Sequence, residues 1–556
     1  MPALRLLMLA AALALAGNGL AQPPAPAFSA DRFRAHVAFL ADDLLEGRDT
    51  GSRGHAIAAA YVASQFMALG LKPGGEHQSW YQQVPFRSAI LKGRATVTIS
   101  GPGGSKSWDN GSDVLVPPSL FEEEQDVAAP VVFAGYGLDA PALGLDDYHG
   151  LDVRGKIVAI LGGVPGGLPG EIAAHLGDQK GAMAARHGAV GLVTVPTSLY
   201  ARVRPWAALR PYVGSATLQW IGPDGRPHDD APGLRAAALL NDPAADLLFA
   251  GAPKTFQEVR AEADRPGARP GGFALRTSLR LKRATAWTRI TSPEVIGLLP
   301  GSDPKLAGEY VVLMGHLDHL GLKRGAKAGE DNVYNGALDN AAGVATMLEA
   351  ARAFALSGER PRRSILFIAN TGEEKGLLGA DYFANHPTIP IGSIASVVDL
   401  DMPLLLYHFS DVIAFGADHS TIAQTVARAA AGMGIALSSD PMPEQNIFVR
   451  SDHYMFVKQG VPAVFLATGF ANGGREKWAA FLGGAYHHVD DDMSQPIDWD
   501  SGARFAELNY RISRALADDD QRPLWYKGDY FGDLFAPNAP RAERPAPAAA
   551  PPPSRR

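Results

Sequence analysis

From about residue 285 onward, short apolar runs with strand character alternate with helix-patterned stretches. This alternation constrains the fold more than any other feature of the chain. Residues 310–314, 364–369, 394–400 and 463–466 are the strand runs. Between them lie segments such as 341–354, where Val344, Met347, Leu348 and Ala351 form one apolar stripe at helical spacing. Strands separated by helices build an α/β sheet with parallel members. The expected fold class is therefore α/β, a mixed, largely parallel sheet flanked by helices.

In open α/β sheets, ligands bind at the C-terminal ends of the strands. Residues able to ligate metal fall at those places here. They are His316 in VVLMGHLDHLG, Asp339 in YNGALDNAAG, Glu374 in NTGEEKGLLGA, Asp401 in SVVDLDMP and His487 in YHHVDD. Taken singly, each has a plain structural reading. Asp339 precedes a helix and reads as an N-cap. Glu373 and Glu374 read as a solvated loop, and His-x-Asp at 316–318 is weak by itself. If the strand persists past His316, its period of two sets Asp318 beside that ring, where the carboxylate could accept the second ring N–H. On chemistry alone either His487 or His488 could ligate. Together, two imidazoles and three carboxylates can hold two divalent ions. The adjacent Glu373 and Glu374 project differently, so one can bind metal while the other faces an attacking water. That set points to metal-assisted hydrolysis.

Other chemistries are excluded by composition. The 556 residues contain no cysteine, which removes disulfides, thiolate zinc sites and a cysteine nucleophile. No Gly-x-Ser-x-Gly elbow is present. The net charge of −7 lacks the basic excess of a nucleic-acid binder. The glycine-rich stretch 161–170 lacks the Gly-Lys-Ser/Thr ending of a phosphate loop and reads as plain turns.

The N-terminal half divides differently. Arg5, the apolar stretch 6–16 and the small-x-small Gly19-Leu20-Ala21 read as a signal peptide at 1–21. Residues 22–110 read as the N-terminal part of the catalytic domain, opening on a Pro/Ala-rich linker. In 56–69, Ala59, Val62, Phe66 and Leu69 follow helical spacing, and Gly70 supplies the stop. Residues 111–275 read as a β-rich insert and 276–530 as the main catalytic domain. Residues 531–556 read as a disordered Pro/Ala-rich tail. No later segment has the apolar length of a membrane helix, so a protein without stable membrane insertion, periplasmic or secreted, is expected.

The quoted motifs resemble metallopeptidase family twenty-eight, the di-zinc aminopeptidases and glutamate-carboxypeptidase-type members. The likeness covers roughly 30–90 and 285–510, with LADDLLEGRDTGS matching the family's N-terminal segment. Within the insert, APVVFAGYGL, DYHGLDVRGKIVAIL and HGAVGLVTV resemble a protease-associated domain. The resemblance implies a zinc-dependent exopeptidase acting on peptides, with two zinc ions per chain. By motif, His316 and Asp401 would bind one ion, Glu374 and His487 the other, and Asp339 both. Glu373 would be the general base and Asp318 the partner behind His316. His487 is preferred over His488 because the family's last ligand follows a Tyr-like residue, here Tyr486. The segment RSDHYMFVKQGVPAVF would lie near the substrate pocket through Ser451, Asp452 and His453. Asp339–Asn340 would be a cis peptide. Departures at Leu338, Ala342 and Asp399 remove no ligand.

An aminopeptidase is the expected activity. Glu330, Asp331, Asp399, Asp490, Asp491 and Asp492 lie near the ligands in sequence and would attract a substrate ammonium. The rivals are a carboxypeptidase, a one-metal glutaminyl-cyclase-like acyltransferase and an inactive transferrin-receptor-like binding protein. The complete ligand set argues against the last two.

Overall fold

The computed structural model describes residues 27–210 and 213–545. The expected signal peptide, most of the linker and the end of the tail lie outside the described residues.

The strand Tyr310–His316 occupies the middle of the C-terminal sheet, parallel to Ser364–Asn370 on one side and to Ile394–Asp399 on the other. Ala463–Thr468 continues the parallel set beside Ile394–Asp399, Asp411–Phe415 follows antiparallel, and the short Ala436–Ser438 lies beyond it. On the opposite side, Phe273–Leu299 and then Tyr81–Leu91 add antiparallel strands. The sheet is thus mixed with a parallel centre. Every residue of Ser364–Asn370, Ile394–Asp399 and Ala463–Thr468 is buried, as strands covered on both faces require.

The covering helices follow from local sequence. In Trp499–Asp518, Phe505, Leu508, Ile512 and Leu516 are buried at three- and four-residue spacing, and the Asp498 carboxylate accepts the Ser501 N–H at its start. This helix packs on Ala342–Leu356, and both lie against the central strand. Phe367 on the neighbouring strand fills the layer between them, its ring 5.9 Å from Phe66 and 6.1 Å from Phe354. Gly343 lets Ala342–Leu356 approach the sheet. A Cβ there would stand 2.0 Å from the Leu400 carbonyl oxygen.

Residues 95–281 hold a second hydrophobic core. It starts earlier than the expected insert boundary at 111, because Thr96–Gly101 pairs with Ser278–Lys282. The 27-residue strand Phe273–Leu299 belongs to both cores and joins their sheets. The insert's helix Gly170–Asp178 leans on the loop 443–449 of the C-terminal core. Its His175 meets the Tyr454 hydroxyl at 2.6 Å. Its Glu171 meets His419 Nε2 at 3.0 Å, and the other nitrogen of His419 faces Asp529 at 2.6 Å.

The tail is ordered further than its composition suggests. Tyr530–Phe535 is a helix with Phe531 fully buried, and Arg541–Ala542 pairs with Trp525–Tyr526. Two aromatic anchors and the Arg541 guanidinium, which donates to the Gly532 and Ala536 carbonyls, outweigh the disorder-prone Pro and Ala around them.

Candidate metal centre

The ends of three adjacent strands bring the sequence-predicted residues together. His316 is the last residue of the central strand, and its side chain is 1% exposed. Its Nδ1–H donates to the Asp318 backbone carbonyl at 3.0 Å. Nε2 faces Asp401 Oδ1 at 3.1 Å and Asp339 Oδ1 at 3.2 Å. Asp339 presents its other oxygen to His487 Nε2 at 3.2 Å, and His487 also faces Glu374 at 3.4 Å. His488 is exposed and outside this cluster.

Hydrogen bonds fix the turn that carries Asp339. The Asp491 carboxylate accepts the N–H groups of Leu338 and Asp339, both at 3.0 Å. The Asp339–Asn340 peptide is cis, as expected. Asn340 ties the turn to the neighbouring strand end by donating to the Leu400 carbonyl and accepting the Met402 N–H.

Asp318 corrects an expectation. It meets His316 through its main-chain carbonyl, not its carboxylate. The strand stops at His316, so the period of two that would set the side chains together does not continue. The Asp318 carboxylate instead accepts from Thr50 Oγ1 at 2.9 Å and from the Glu373 N–H at 3.2 Å, holding the turn that carries both glutamates.

Behind the cluster, Ser451 Oγ lies 2.7 Å from Asp401 Oδ2 and 2.7 Å from Asp399 Oδ2. Its single hydroxyl proton serves only one of them at a time. The Nδ1 of His453 faces Asp399 at 2.8 Å, and Asn370 donates to Asp452 at 2.7 Å.

His319 was not singled out from the sequence. It is fully buried, with Nδ1 2.6 Å from Glu374 Oε1 and Nε2 without a hydrogen-bond partner among the described residues. Its signal was present as the second histidine of HLDHLG, but nothing in a loop of that length fixes where the ring points.

Electrostatics make the cluster a cation site. Burial opposes protonation of His316, but Asp401 and Glu373 outweigh it and hold its pKa well above the ordinary value. Burial pushes the Glu373 carboxyl well above its usual range, with His316 pulling the other way. Arg48 is the buried cation nearby, and it donates to the carbonyls of Leu317, Asn335 and Gly336 rather than to these carboxylates. Two groups of potential ligand atoms, each within 4.8 Å, result: His316, Asp339 and Asp401, and His319, Asp339 and Glu374. Asp339 belongs to both. Imidazole with carboxylate is a donor set that suits zinc.

A cavity of about 560 Å³ opens over the cluster. Asp339, Glu373, Glu374, Asp401 and His487 form its polar side, and Phe415, Ile447, Phe465, Trp478 and Leu482 line its apolar wall. None of the six carboxylates expected to attract a substrate ammonium lines it. Asp399 and Asp491 are buried and hydrogen-bonded, and the others belong to surface loops. Nearness in sequence did not translate into nearness to the cavity.

Residues 294–513 match the model of peptidase family M28. Over 221 residues the chain is 29% identical to leupeptin-inactivating enzyme 1 of Streptomyces exfoliatus, a stretch covering 37% of this chain and 45% of that relative. It is 45% identical over 67 residues to a "probable zinc metalloprotease" of Pyrenophora tritici-repentis, covering 12% of this chain and 15% of the relative. The chain therefore spans less than half the length of these curated relatives. Its fold is similar to that of an aminopeptidase from Aneurinibacillus sp. strain AM-1, with a TM-score of 0.50 and 20% identity over 88% of this chain and 94% of the other.

Proposed function

Residues 294–513 belong to peptidase family M28, and on that premise we propose that the chain is a zinc-dependent exopeptidase that removes residues from the amino end of peptides. The observation that carries this reading is a pair of ligand groups sharing Asp339, set in the floor of a cavity with one apolar wall; in the second group both His319 and His487 face Glu374, and His487, which lines the cavity, is taken as the ligand. His316 and Asp401 would hold one zinc ion, Glu374 and His487 the other, and Asp339 both. Bound there, two divalent ions supply Lewis acidity toward the scissile carbonyl and lower the pKa of a water.

The chain's own groups do the rest. Glu373 lines the cavity beside the ligands, and we assign it the general-base role, taking a proton from the attacking water and returning it to the leaving amine. Asp318 holds the Glu373 turn, and its carbonyl fixes the His316 tautomer so that Nε2 presents a lone pair. The apolar wall would receive the side chain of the terminal residue, favouring large apolar ones. The insert, read as a protease-associated domain, supports loop 443–449. No helix among the described residues is long and apolar enough to cross a membrane, and export to the periplasm or medium is part of the reading.

Zinc-loaded protein is tested on matched peptides. Free-amine peptides with bulky apolar first residues should be trimmed one residue at a time, and their N-acetylated forms should resist. Cleavage that survives N-acetylation and stops on C-amidation would establish a carboxypeptidase instead. Elemental analysis should give two zinc ions per chain. One or none after zinc is added back overturns the dinuclear site.

A further inference from the structure

The charged side chains of the cavity are Asp339, Glu373, Glu374, Asp401, His487 and one cation, Arg450. Asp339, Asp401 and Glu374 face the histidines of the cluster, and Glu373 lines the cavity beside them. Arg450 has no such partner. It is exposed, forms no ion pair with any described residue, and makes only long contacts to Gln445, at 3.3 Å to the carbonyl and 3.4 Å to Oε1. Its place is nevertheless well defined. The next residue, Ser451, touches Asp401, and loop 443–449 before it rests on the insert helix. Tyr486 lines the same cavity as Arg450, and its ring stacks on His487 at 3.9 Å.

Under the proposed function, two divalent ions neutralise the four carboxylates, and Arg450 leaves the cavity net positive. A guanidinium with free donors matches a carboxylate bidentately. The cavity lies within the roughly 300–1,000 Å³ of sites that enclose a small ligand. A di- or tripeptide cut at the cluster would therefore keep its own terminal carboxylate inside the same space.

We propose that Arg450 is a substrate-carboxylate anchor and that the preferred substrates are short peptides bearing a carboxylate just beyond the cleaved bond. This inference rests on the exopeptidase reading but fails separately from it. The carboxylate has two sources, the free C-terminus of a short peptide or an acidic side chain at the second residue.

The zinc-loaded enzyme is assayed for kcat/KM on Leu-Gly against Leu-Gly-amide, on Leu-Glu-amide against Leu-Gln-amide, and on N-acetyl-Leu-Gly. The expected result is a preference of at least tenfold for Leu-Gly over its amide. That ratio should fall toward one in Arg450→Gln and sit between in Arg450→Lys, with thermal unfolding of both variants matching the parent. A preference seen only in the Glu/Gln pair and lost in Arg450→Gln supports the anchor with a side-chain source. Ratios of one in both pairs for the parent overturn it, as does a preference undiminished in Arg450→Gln. Efficient cleavage of N-acetyl-Leu-Gly that depends on Arg450 reverses the direction of the exopeptidase while supporting the anchor. Inactivity on every peptide overturns both readings.

Discussion

His316, buried, and His419, half-buried, are both imidazoles facing two carboxylates, yet their geometry prepares them for opposite tasks. At His419 each ring nitrogen has its own acid, Asp529 at 2.6 Å and Glu171 at 3.0 Å. Burial disfavours the charge, but the two acids outweigh it and raise the pKa to about 9. The imidazolium is fully used as a two-armed ion pair. At His316 one nitrogen is tied to a main-chain carbonyl, and both acids crowd the other nitrogen. One N–H cannot satisfy two carboxylates, whereas a metal ion at that point meets all three donors. Which nitrogen the acids share therefore separates a clamp from a ligand.

The largest effect that would break this distinction is catalytic. Glu373→Gln should lower kcat by about 10²–10⁴-fold with zinc content unchanged, whereas His316→Ala should lose metal as well. Zinc lost along with activity in Glu373→Gln would make that residue a ligand and not a base. No change in zinc content is expected in His419→Gln, so elemental analysis of the three variants tests the comparison directly.

Next in size is the clamp. The pKa of His419 stands above its unfolded value of about 6.5, so its contribution is complete below that pH and is lost as pH climbs through about 9. The displacement corresponds to about 3 kcal/mol. Arg544, 3.6 Å from Asp529, remains to hold that acid at high pH. Denaturant unfolding from pH 6 to 10 should show a loss of stability in the parent that His419→Gln lacks. Parallel curves for the two proteins would contradict the clamp.

Zinc should act on the other histidine. Free zinc at 100 times its dissociation constant should stabilise the fold by about 2.7 kcal/mol, with a chelator reversing the effect. His316→Ala should blunt this response and His419→Gln should leave it intact. A smaller effect concerns His319, which orients Glu374. Loss of such a partner typically weakens metal affinity about 10–100-fold. His319→Ala should do so, and His319→Asn, which keeps a donor near the position of Nδ1, should recover part of it. Equal affinities in the two variants would reduce His319 to packing.

Much of this centre was legible in the sequence because strand ends are. An apolar run that stops at a His names both the strand and the residue on its rim, as at His316, and Asp401 follows its own strand by two residues. Three features escaped for related reasons. The strand Phe273–Leu299 takes its partners from Thr96–Gly101, Glu124–Phe133 and Tyr81–Leu91, and non-local pairing leaves no local signature. The roles of Asp318 and His319 depend on how a loop turns after the strand has ended. Asp399 reads from the sequence as a carboxylate open to a substrate ammonium, but it ends a buried strand, and its carboxylate turns inward to Ser451 and His453.

The strand Phe273–Leu299 also records how the two halves of the molecule are spliced. Its Thr285 stands directly opposite Leu91, the last residue of Tyr81–Leu91. Everything between 91 and 285 therefore leaves and re-enters through a single rung of an antiparallel ladder, where a two-residue turn would otherwise close a hairpin. The seam for grafting or exchanging this half is that rung, not residues 111 and 275. Cuts at 111 and 275 would remove Glu124–Phe133, the partner of residues 278–284 on one side, and leave that edge open to foreign strands. A cut at the rung closed by Asn-Gly would keep every rung between Tyr81–Leu91 and residues 285–295, while uncovering the Phe86–Ala89 edge that Thr217–Trp220 pairs with.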